Sequence, residues 1–487
     1  MPALKPVLVL FWILSNLKSG KWLESAKIQI GERNKMIEQS FKSAAFSEDF
    51  TYVIDACSNK IKTDDRRVVF IWPLTNNSTP FVKSIHEKKG WRIRLCKPYT
   101  HEILHNVKKL SSGRECLSFN FLAGIYYTDI MENYDKDDIL VYWGIEQEGP
   151  CQCGAWPDVW KVLTERLGIS NAIYSVNLTL KNNYLGQGMM FGRQVLSAII
   201  LGDLFDEAEC TLRCLALNKE EALKIFNKEM MKVVSNFHKG ILAIERSLKE
   251  WANNIRKIPL KATVEETPKI LIFGGGVLPF IKEPINEYCY QQGVIPKIVE
   301  FHEFLLTIFS EYARRYGFKR GYDNLDQHLD WGSLIMSLFN SQLNLRELKL
   351  AMSSRLTLDL ANFLNHRFRK ALQGSGLLFD KHVSLASLLK DGHQFINPNI
   401  FNEADIPVGK YLKTMQTGVF DGLVHVAVFT CQNSINAQAV IRALAHRYDI
   451  PFVGLELEGP WLSTNHHRLL ENVTVQARRL REANNAV

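Results

Sequence analysis

The stretch that decides the fold is a short apolar run followed by a turn that contains two cysteines. The run is Ile139-Leu140-Val141-Tyr142-Trp143, the turn is Gly149-Pro150-Cys151-Gln152-Cys153-Gly154, and residues 158–167 then have the pattern of a helix. This order predicts a strand, a tight loop and a helix. In open α/β sheets, ligands bind outside the carboxyl ends of the strands. A Gly-Pro turn at that position therefore predicts thiols that face a cluster or a metal.

Two further segments place a cysteine in the same kind of position. The strand-like run at residues 424–429 stops at Thr430-Cys431, and Gly113-Arg114-Glu115-Cys116 puts a cysteine at the start of a helical pattern. Loops and helix N-termini supply free N–H groups, which stabilise thiolates and the sulfides that they bind. The alternative is that these cysteines are small buried hydrophobic side chains, as free cysteines often are.

Length and composition limit the class of protein. A chain of 487 residues is long for one core and predicts two or three domains. The net charge of +8 is small for this length and the basic residues are scattered, so no nucleic-acid partner is expected. The nine cysteines follow no secreted disulfide framework, which predicts reduced thiols. The apolar run at residues 6–17 is too short to span a bilayer, and no clean cleavage pattern follows it. A cytoplasmic helix or a buried strand is therefore favoured over a signal peptide, and we expect a cytoplasmic protein without a membrane segment.

Strands alternate with helical segments on both sides of a polar segment that two prolines bracket. This pattern predicts an α/β protein with two Rossmann-like parallel-sheet domains and added helices. We place an appended region at residues 1–66 and a first domain at 67–257, which carries the Cys116 and Cys151 loops. A linker at 258–268 precedes a second domain at 269–487, which carries the Cys431 loop. The cysteine loops are expected to meet in the cleft between the two domains.

One segment matches a zinc-protease motif, H-E-x-x-H. On a helix, His101 and His105 would share a face and could bind zinc, with Glu102 as general base. The glycine and third histidine that extend this motif in one class of zinc proteases are absent. A solvated helix face is therefore the expected structure.

Other motifs are weaker. Residues 274–276 are three glycines that follow a predicted strand, and Glu300 ends the next predicted strand. This pattern is similar to a dinucleotide-binding fingerprint, but the third glycine of that fingerprint is absent. A tight turn beside a substrate cleft is the favoured interpretation. Cys210 and Cys214 are four residues apart on a predicted helix, where core packing is favoured over a metal clamp. Three cysteines have the surroundings of structural residues: Cys57, Cys96 and Cys289.

With the three cysteine loops in view, the chain resembles the 2-hydroxyacyl-CoA dehydratase / benzoyl-CoA reductase superfamily. The branch it resembles most is the activase-associated one (the C-terminal region of CoA-substrate-specific enzyme activases). The likeness runs from residue 67 to residue 485, in the same order. The matching segments are Ser112-Gly113-Arg114-Glu115-Cys116, Gly149-Pro150-Cys151-Gln152-Cys153-Gly154, residues 269–280, Phe429-Thr430-Cys431, and the tail with Glu458-Gly459, Thr464-Asn465 and Arg468-Leu469-Leu470-Glu471.

The chain also departs from the pattern of that branch. Cys153 stands where the family has an apolar residue, Gln152 replaces an arginine, and Ser118 replaces a proline. Residues 432–434 (Gln-Asn-Ser) replace a Met-Pro-Gly turn, and no ATPase module is recognised in the sequence. These departures predict an altered cluster or substrate.

The resemblance implies a cytoplasmic, oxygen-sensitive iron–sulfur protein. Cys116, Cys151 and Cys431 would hold a 4Fe–4S cluster between the two α/β domains, with one iron open. The protein, a homodimer, would take low-potential electrons from an ATP-hydrolysing iron–sulfur activator. It would then reduce or dehydrate a small-molecule substrate such as a CoA thioester. The alternatives are a double-cubane-cluster reductase of small molecules and a non-catalytic electron carrier or scaffold.

The role of Cys153 depends on the shape of its loop. If the loop is extended, the side chains of Cys151 and Cys153 point to opposite sides, and Cys153 is a bystander, which is the outcome we favour. If the loop is a tight turn, both thiols face the cleft. Cys153 would then close the fourth iron or help to hold a second cubane.

Overall fold

Two four-stranded parallel sheets form the framework of the protein. The computed structural model describes residues 42–144, 151–175, 186–276, 278–317, 345–397, 403–447 and 450–485. The first sheet consists of β4 (Val68–Trp72), β5 (Arg92–Leu95), β6 (Ile139–Trp143) and β7 (Ala172–Ser175). The second sheet consists of β8 (Lys269–Gly274), β9 (Ile295–Ile298), β10 (Gly422–Val428) and β11 (Phe452–Leu457).

Both sheets have the same strand order. In the first sheet the order is β5-β4-β6-β7, and in the second it is β9-β8-β10-β11, so each sheet follows the pattern 2-1-3-4 with every pair parallel. All residues of β4, β6 and β10 are buried, as expected for parallel strands with helices on both faces. This confirms the predicted fold class of two Rossmann-like parallel-sheet units with added helices.

Helices connect and cover the strands. The helices around the first sheet are α1 (Thr79–Lys88), α2 (His101–Lys108), α3 (Leu117–Asn133) and α4 (Trp156–Arg166). Three added helices follow it: α5 (Gly188–Leu215), α6 (Lys219–Asn236) and α7 (Ile241–Ile255). The remaining helices are α8 (Leu278–Ile281), α9 (Glu283–Gln291), α10 (Phe301–Gly317), α11 (Leu345–Leu372), α12 (Leu385–Gly392), α13 (Asp405–Thr417), α14 (Gln432–Ala445) and α15 (Thr464–Asn485).

The hydrophobic cores cross the linker that was expected to separate the domains. One core joins Trp143 of β6 and Phe205 of α5 with Phe301 of α10. A second core joins Tyr142 of β6 with Val426 of β10. The two sheets are therefore packed against shared side chains, and this packing holds the ends of their strands in a defined relation.

Helix α5 is long and apolar enough to cross a membrane, judged by length and composition alone. No segment of this kind was predicted from the sequence. However, 72% of its most apolar 18-residue window is buried inside the protein. Its side chains belong to the core shared by the sheets and the added helices. This burial is typical of a core helix in a soluble fold.

The appended region contains a small antiparallel sheet. Strand β1 (Ala45–Phe46) pairs with β2 (Tyr52–Ile54), which pairs with β3 (Lys60–Lys62). Val53 and Ile61 bury their side chains in the core beneath the first sheet. The apolar run at residues 6–17 and residues 149–150 of the cysteine turn lie outside the described residues.

Candidate functional site: a cavity lined by four cysteines

A cavity of about 610 Å³ lies where the carboxyl ends of strands from both sheets meet. Trp143, at the end of β6, and Val428, at the end of β10, both line it. The predicted site residues Cys116, Cys151 and Cys431 are together in its wall, and so is Cys153. Its position at strand ends is where open α/β sheets place their ligands.

Each of three cysteines immediately precedes a helical segment that starts at the cavity. Cys116 is the N-cap of α3, and Cys431 is the N-cap of α14. Cys151 precedes a 3₁₀ turn, Gln152–Ala155, that leads directly into α4. The first N–H groups of a helix have no intrahelical acceptor, and the helix dipole adds partial positive charge there. These helix starts therefore favour anionic sulfur at the same cavity.

Hydrogen bonds hold the three cysteine loops together. The backbone N–H of Cys116 donates to Oε1 of Gln152 over 2.7 Å, and Nε2 of Gln152 donates to the carbonyl oxygen of Arg114 over 3.4 Å. The N–H of Leu117 donates to the carbonyl oxygen of Phe429 over 3.4 Å, which links the first loop to the third. Sequence reasoning noted Gln152 only as a departure from the family pattern. Its position between two cysteines was the sole signal of this bridging role.

The loop after Cys151 is a tight turn, so the expectation of an extended loop is wrong. Cys153 is 2% exposed, and it lines the cavity rather than packing on the far side of the domain. A side-chain hydrogen bond from Cys153 lowers the pKa of the Cys151 thiol to about 7. The same hydrogen bond, together with burial, raises the pKa of Cys153. Cys151 is thus the thiol of this pair that ionises first.

The other two thiols resist ionisation in the protein alone. Burial raises the pKa of Cys116 to about 12, and the nearby sulfurs of Cys151 and Cys431 add to the rise. Burial also raises the pKa of Cys431, although hydrogen bonds from Ser434 act against the rise. Metals bind to thiolates rather than to thiols. Binding of a metal or a cluster to these cysteines would therefore release protons.

The remaining wall of the cavity is largely apolar. Its aromatic part consists of the side chains of Trp143, Trp156, Phe280, Phe301 and Phe304. The polar lining comes from Ser118, Gln152, Glu403, Thr430, Gln432, Asn433, Ser434 and Asn436. No Lys, Arg or His is among the described residues that line the cavity. Among the described residues, a group bound here would contact aromatic rings and neutral dipoles, together with the Glu403 carboxyl.

The glycine run after β8 forms another part of the wall. Gly275 and Gly276 line the cavity, as the interpretation of a tight turn beside a substrate cleft predicted. A Cβ on Gly274 would lie 2.3 Å from the carbonyl oxygen of Val426 in the neighbouring strand, and one on Gly276 would lie 2.6 Å from the Phe304 ring. These two glycines therefore allow the backbone and the aromatic wall to approach closely.

A buried cluster of charges lies behind the glycine turn. Arg369 of α11 contacts the carboxylates of Glu300, at 2.7 Å, and Glu207, at 3.0 Å. Lys297 lies 3.0 Å from Glu207 and 3.5 Å from Glu300. Burial alone would raise the pKa of Glu207, but the two cations lower it to about 2. Glu300 is thus engaged in ion pairs, which removes the basis for its role as a ribose-binding residue.

The backbone is strained next to the third cysteine. Thr430, between Phe429 and Cys431, has a φ of 64°. A β-branched residue in this left-handed region is a genuine outlier, and such strain concentrates at functional sites. This conformation turns the chain from the end of β10 into α14 and brings Cys431 to the cavity wall.

The other candidate metal sites of the sequence do not form. Within the described residues, no group of three or more His, Cys, Asp or Glu is placed so that it could hold a metal ion, and this includes the cavity cysteines. His101, Glu102 and His105 lie on an exposed face of α2, as expected. Cys210 and Cys214 are buried in the core side of α5, and Cys289 is also buried, but Cys57 is exposed and Cys96 half-buried.

The four cavity cysteines are drawn to one wall by three separate loops, and Cys151 and Cys153 are close enough to share a hydrogen bond. A comparison with models of known protein families found no match, and a comparison with curated proteins found no relative.

Proposed function

We propose that this chain is an iron–sulfur protein of the 2-hydroxyacyl-CoA dehydratase type, acting on a small molecule at a cluster held in the cysteine cavity. The observation that carries the proposal is that thiols from both halves of the chain line one largely apolar cavity. Cys116, Cys151 and Cys431 would be the ligands. A cavity of about 610 Å³ leaves room for a substrate beside them.

The donor set fits such a group. Each of the three cysteines precedes a helical segment, so the partial positive charge of a helix start lies close to where each sulfur atom would carry negative charge. Cys151, with its pKa lowered to about 7 by Cys153, would offer the first thiolate. The hydrogen bonds that Gln152 accepts from Cys116 and Phe429 accepts from Leu117 hold the loops in place independently of any ligand.

The surroundings would favour a low reduction potential. When bound, a cluster of this kind supplies single low-potential electrons at an iron open to substrate. The wall is largely apolar, and the described residues of the lining include the Glu403 carboxyl but no basic side chain. Because an added electron increases the negative charge of the site, such a lining makes reduction more difficult. An electron donor driven by ATP hydrolysis, namely an iron–sulfur activator, is the partner that the family resemblance implies, and it could supply electrons at such a potential.

A second candidate function is a double-cubane reductase, which the position of Cys153 favours. With four thiols in one wall, the site has one sulfur more than an open three-thiolate cubane uses. The additional thiol could close the fourth iron or help to hold a second cubane. A closed cluster would instead suit an electron carrier, but the apolar space beside the thiols favours an enzyme over that alternative.

The direct test is metal analysis of protein purified without oxygen. We expect iron and acid-labile sulfide in the wild-type protein, together with an EPR signal after reduction. Cys116→Ser, Cys151→Ser and Cys431→Ser should each lose most of the iron, because a thiolate ligand is replaced by a poor one. Cys57→Ser, at an exposed cysteine outside the cavity, is the control and should keep its iron. Equal iron in all five proteins, or none after reconstitution, would reject the proposal.

Cys153→Ser separates the two candidate functions. A three-thiolate site keeps its iron and its EPR spectrum in this variant, whereas a site that uses Cys153 loses iron as completely as Cys151→Ser does. Reduction of the cluster by the activator should occur only while ATP is hydrolysed. Equal reduction without nucleotide would indicate a simple electron carrier. The oligomeric state, for which we propose a homodimer, follows from light scattering of the same samples.

A further inference from the structure

Asn433 is a buried side chain in the cavity wall whose amide has no hydrogen-bond partner. It lies in the first turn of α14, is 4% exposed and lines the cavity. Neither its Nδ2 nor its Oδ1 finds a partner among the described residues. Its neighbours are engaged: Gln432 donates to Oδ1 of Asn436 over 3.1 Å, and Ser434 hydrogen-bonds the thiol of Cys431. Within this turn, Asn433 has hydrogen-bonding capacity to offer a ligand.

An unpaired buried amide is costly, so its position calls for a complementary ligand. Buried polar groups are nearly always hydrogen-bonded, and an unsatisfied donor or acceptor is destabilising. A carboxamide side chain presents an N–H donor and a C=O acceptor on one edge. Its full complement is a group with an acceptor and a donor side by side. Primary carboxamides and lactams have this edge.

Other acyl groups match this edge less well. A thioester or ketone carbonyl has no donor for Oδ1, and an ionised carboxylate has acceptors only. A trans secondary amide points its N–H and C=O in opposite directions, so it cannot pair with one edge. The Glu403 carboxyl in the same lining also makes an anionic ligand less favourable than a neutral one.

The aromatic wall sets the character of the rest of the ligand. Trp143, Phe301 and Phe304 line the same cavity, with ring centroids 6.4 Å apart for Trp143 and Phe301 and 5.9 Å apart for Phe301 and Phe304. Rings at such spacing offer a continuous apolar surface to a flat or compact body. A ligand with an apolar body and one amide edge would satisfy both parts of the cavity.

We propose that Asn433 anchors a neutral carboxamide or lactam in the cysteine cavity, with the apolar body of the ligand against Trp143, Phe301 and Phe304. That this ligand is the substrate of the thiol-bound group rests on the function proposed above. The binding itself does not rest on it. The inference makes a compact amide a better candidate substrate than a CoA thioester.

The test compares three probes of similar shape: benzamide, benzoate and acetophenone. Binding is measured by calorimetry on the anaerobically purified full-length protein. Benzamide should bind, and benzoate and acetophenone should bind at least about tenfold more weakly, because each leaves Asn433 partly unpaired. Equal binding of acetophenone and benzamide, or no binding of benzamide, would overturn the proposal.

Two variants show whether the amide of Asn433 is responsible. Asn433→Leu should weaken benzamide binding at least about tenfold, while its thermal midpoint without ligand stays equal or rises, because unpaired polar atoms leave a buried position. Gln438→Leu, on the same helix but outside the cavity lining, should keep the wild-type affinity. A lower thermal midpoint of Asn433→Leu with unchanged benzamide affinity would assign Asn433 a purely structural role.

Iron content separates this inference from the proposed function. It is measured in the wild-type protein and in both variants. Protein without iron that still binds benzamide through Asn433 would retain this inference and remove the proposed function. Protein that contains iron but does not bind benzamide would retain the proposed function and remove this inference.

Discussion

Replacement of Arg369 by methionine should destabilise the protein far more than loss of an ordinary ion pair. The Arg369 guanidinium lies 2.7 Å from Glu300 and 3.0 Å from Glu207, and both carboxylates are buried. At an effective dielectric constant of about 20, two charges about 3 Å apart attract by about 5–6 kcal/mol. Much of this attraction offsets the several kcal/mol lost when each ion leaves water.

In the Arg369→Met variant, Glu207 and Glu300 would share Lys297, with only His302, 3.6 Å from Glu300, as a further close partner. Removal of one partner from a buried ion pair costs about 3–5 kcal/mol, so we expect the free energy of unfolding to fall by that amount. The measurement is urea denaturation followed by far-UV circular dichroism. Adding Glu300→Gln to Arg369→Met should recover part of the loss, because it removes one of the unpaired charges.

The matched control is Arg355→Met on the same helix. Arg355 pairs with Asp359 one turn away, at 2.7 Å, and both side chains are partly exposed. Pairs of this type contribute about 0–1 kcal/mol. A loss for Arg369→Met no larger than that for Arg355→Met would refute the argument that this buried cluster holds α11 against the loop after β9.

Three further outcomes follow from single features of the structure. Thr430→Gly should stabilise the protein by about 1 kcal/mol in urea denaturation, because glycine adopts a φ of 64° without strain, and an unchanged midpoint would contradict this. Gly276→Ala should cost about 1–3 kcal/mol, because its Cβ would lie 2.6 Å from the Phe304 ring; benzamide affinity should fall with it, and wild-type affinity would count against a fixed wall. Burial lowers the pKa of His86 to about 4 and that of His425 to about 3. Above about pH 6.5, the ordinary pKa of histidine in an unfolded chain, both residues are neutral in either state and the free energy of unfolding is at its full value. It is lost as the pH falls, by about 1.4 kcal/mol per pH unit for each histidine, and His425→Leu should reduce this slope between pH 6 and pH 5; an unchanged slope would refute the assignment.

The parallel-sheet fold class and the positions of the cysteines after strands or before helices were accessible from the sequence, because both depend on local patterns. A strand buried on both faces is apolar along its whole length, as in β6 and β10, and this pattern needs no knowledge of the partners. Helix α4 starts at Trp156, two residues earlier than predicted. Pro157 in its first turn was the missed signal, since proline is favoured at the start of a helix.

The contacts that complete the site were not accessible in this way. Gln152 lies 36 residues from Cys116, and Arg369 lies 162 residues from Glu207. Such pairs are fixed by the packing of the two sheets on shared cores, which no periodic pattern encodes. For the same reason, the turn that brings Cys153 into the cavity wall was the less favoured of two alternatives until the fold was in hand.

The hydrogen bonds among the cysteine loops have a consequence for the order of assembly. Gln152 joins the first two loops, and the bond from Leu117 to Phe429 joins the first loop to the third. Small metal-dependent domains fold only when their ion is present, because nothing else organises their ligands. Here, protein groups and shared cores already fix the loops. Folding can therefore be completed first, and a cofactor delivered later would enter a prepared site at little conformational cost.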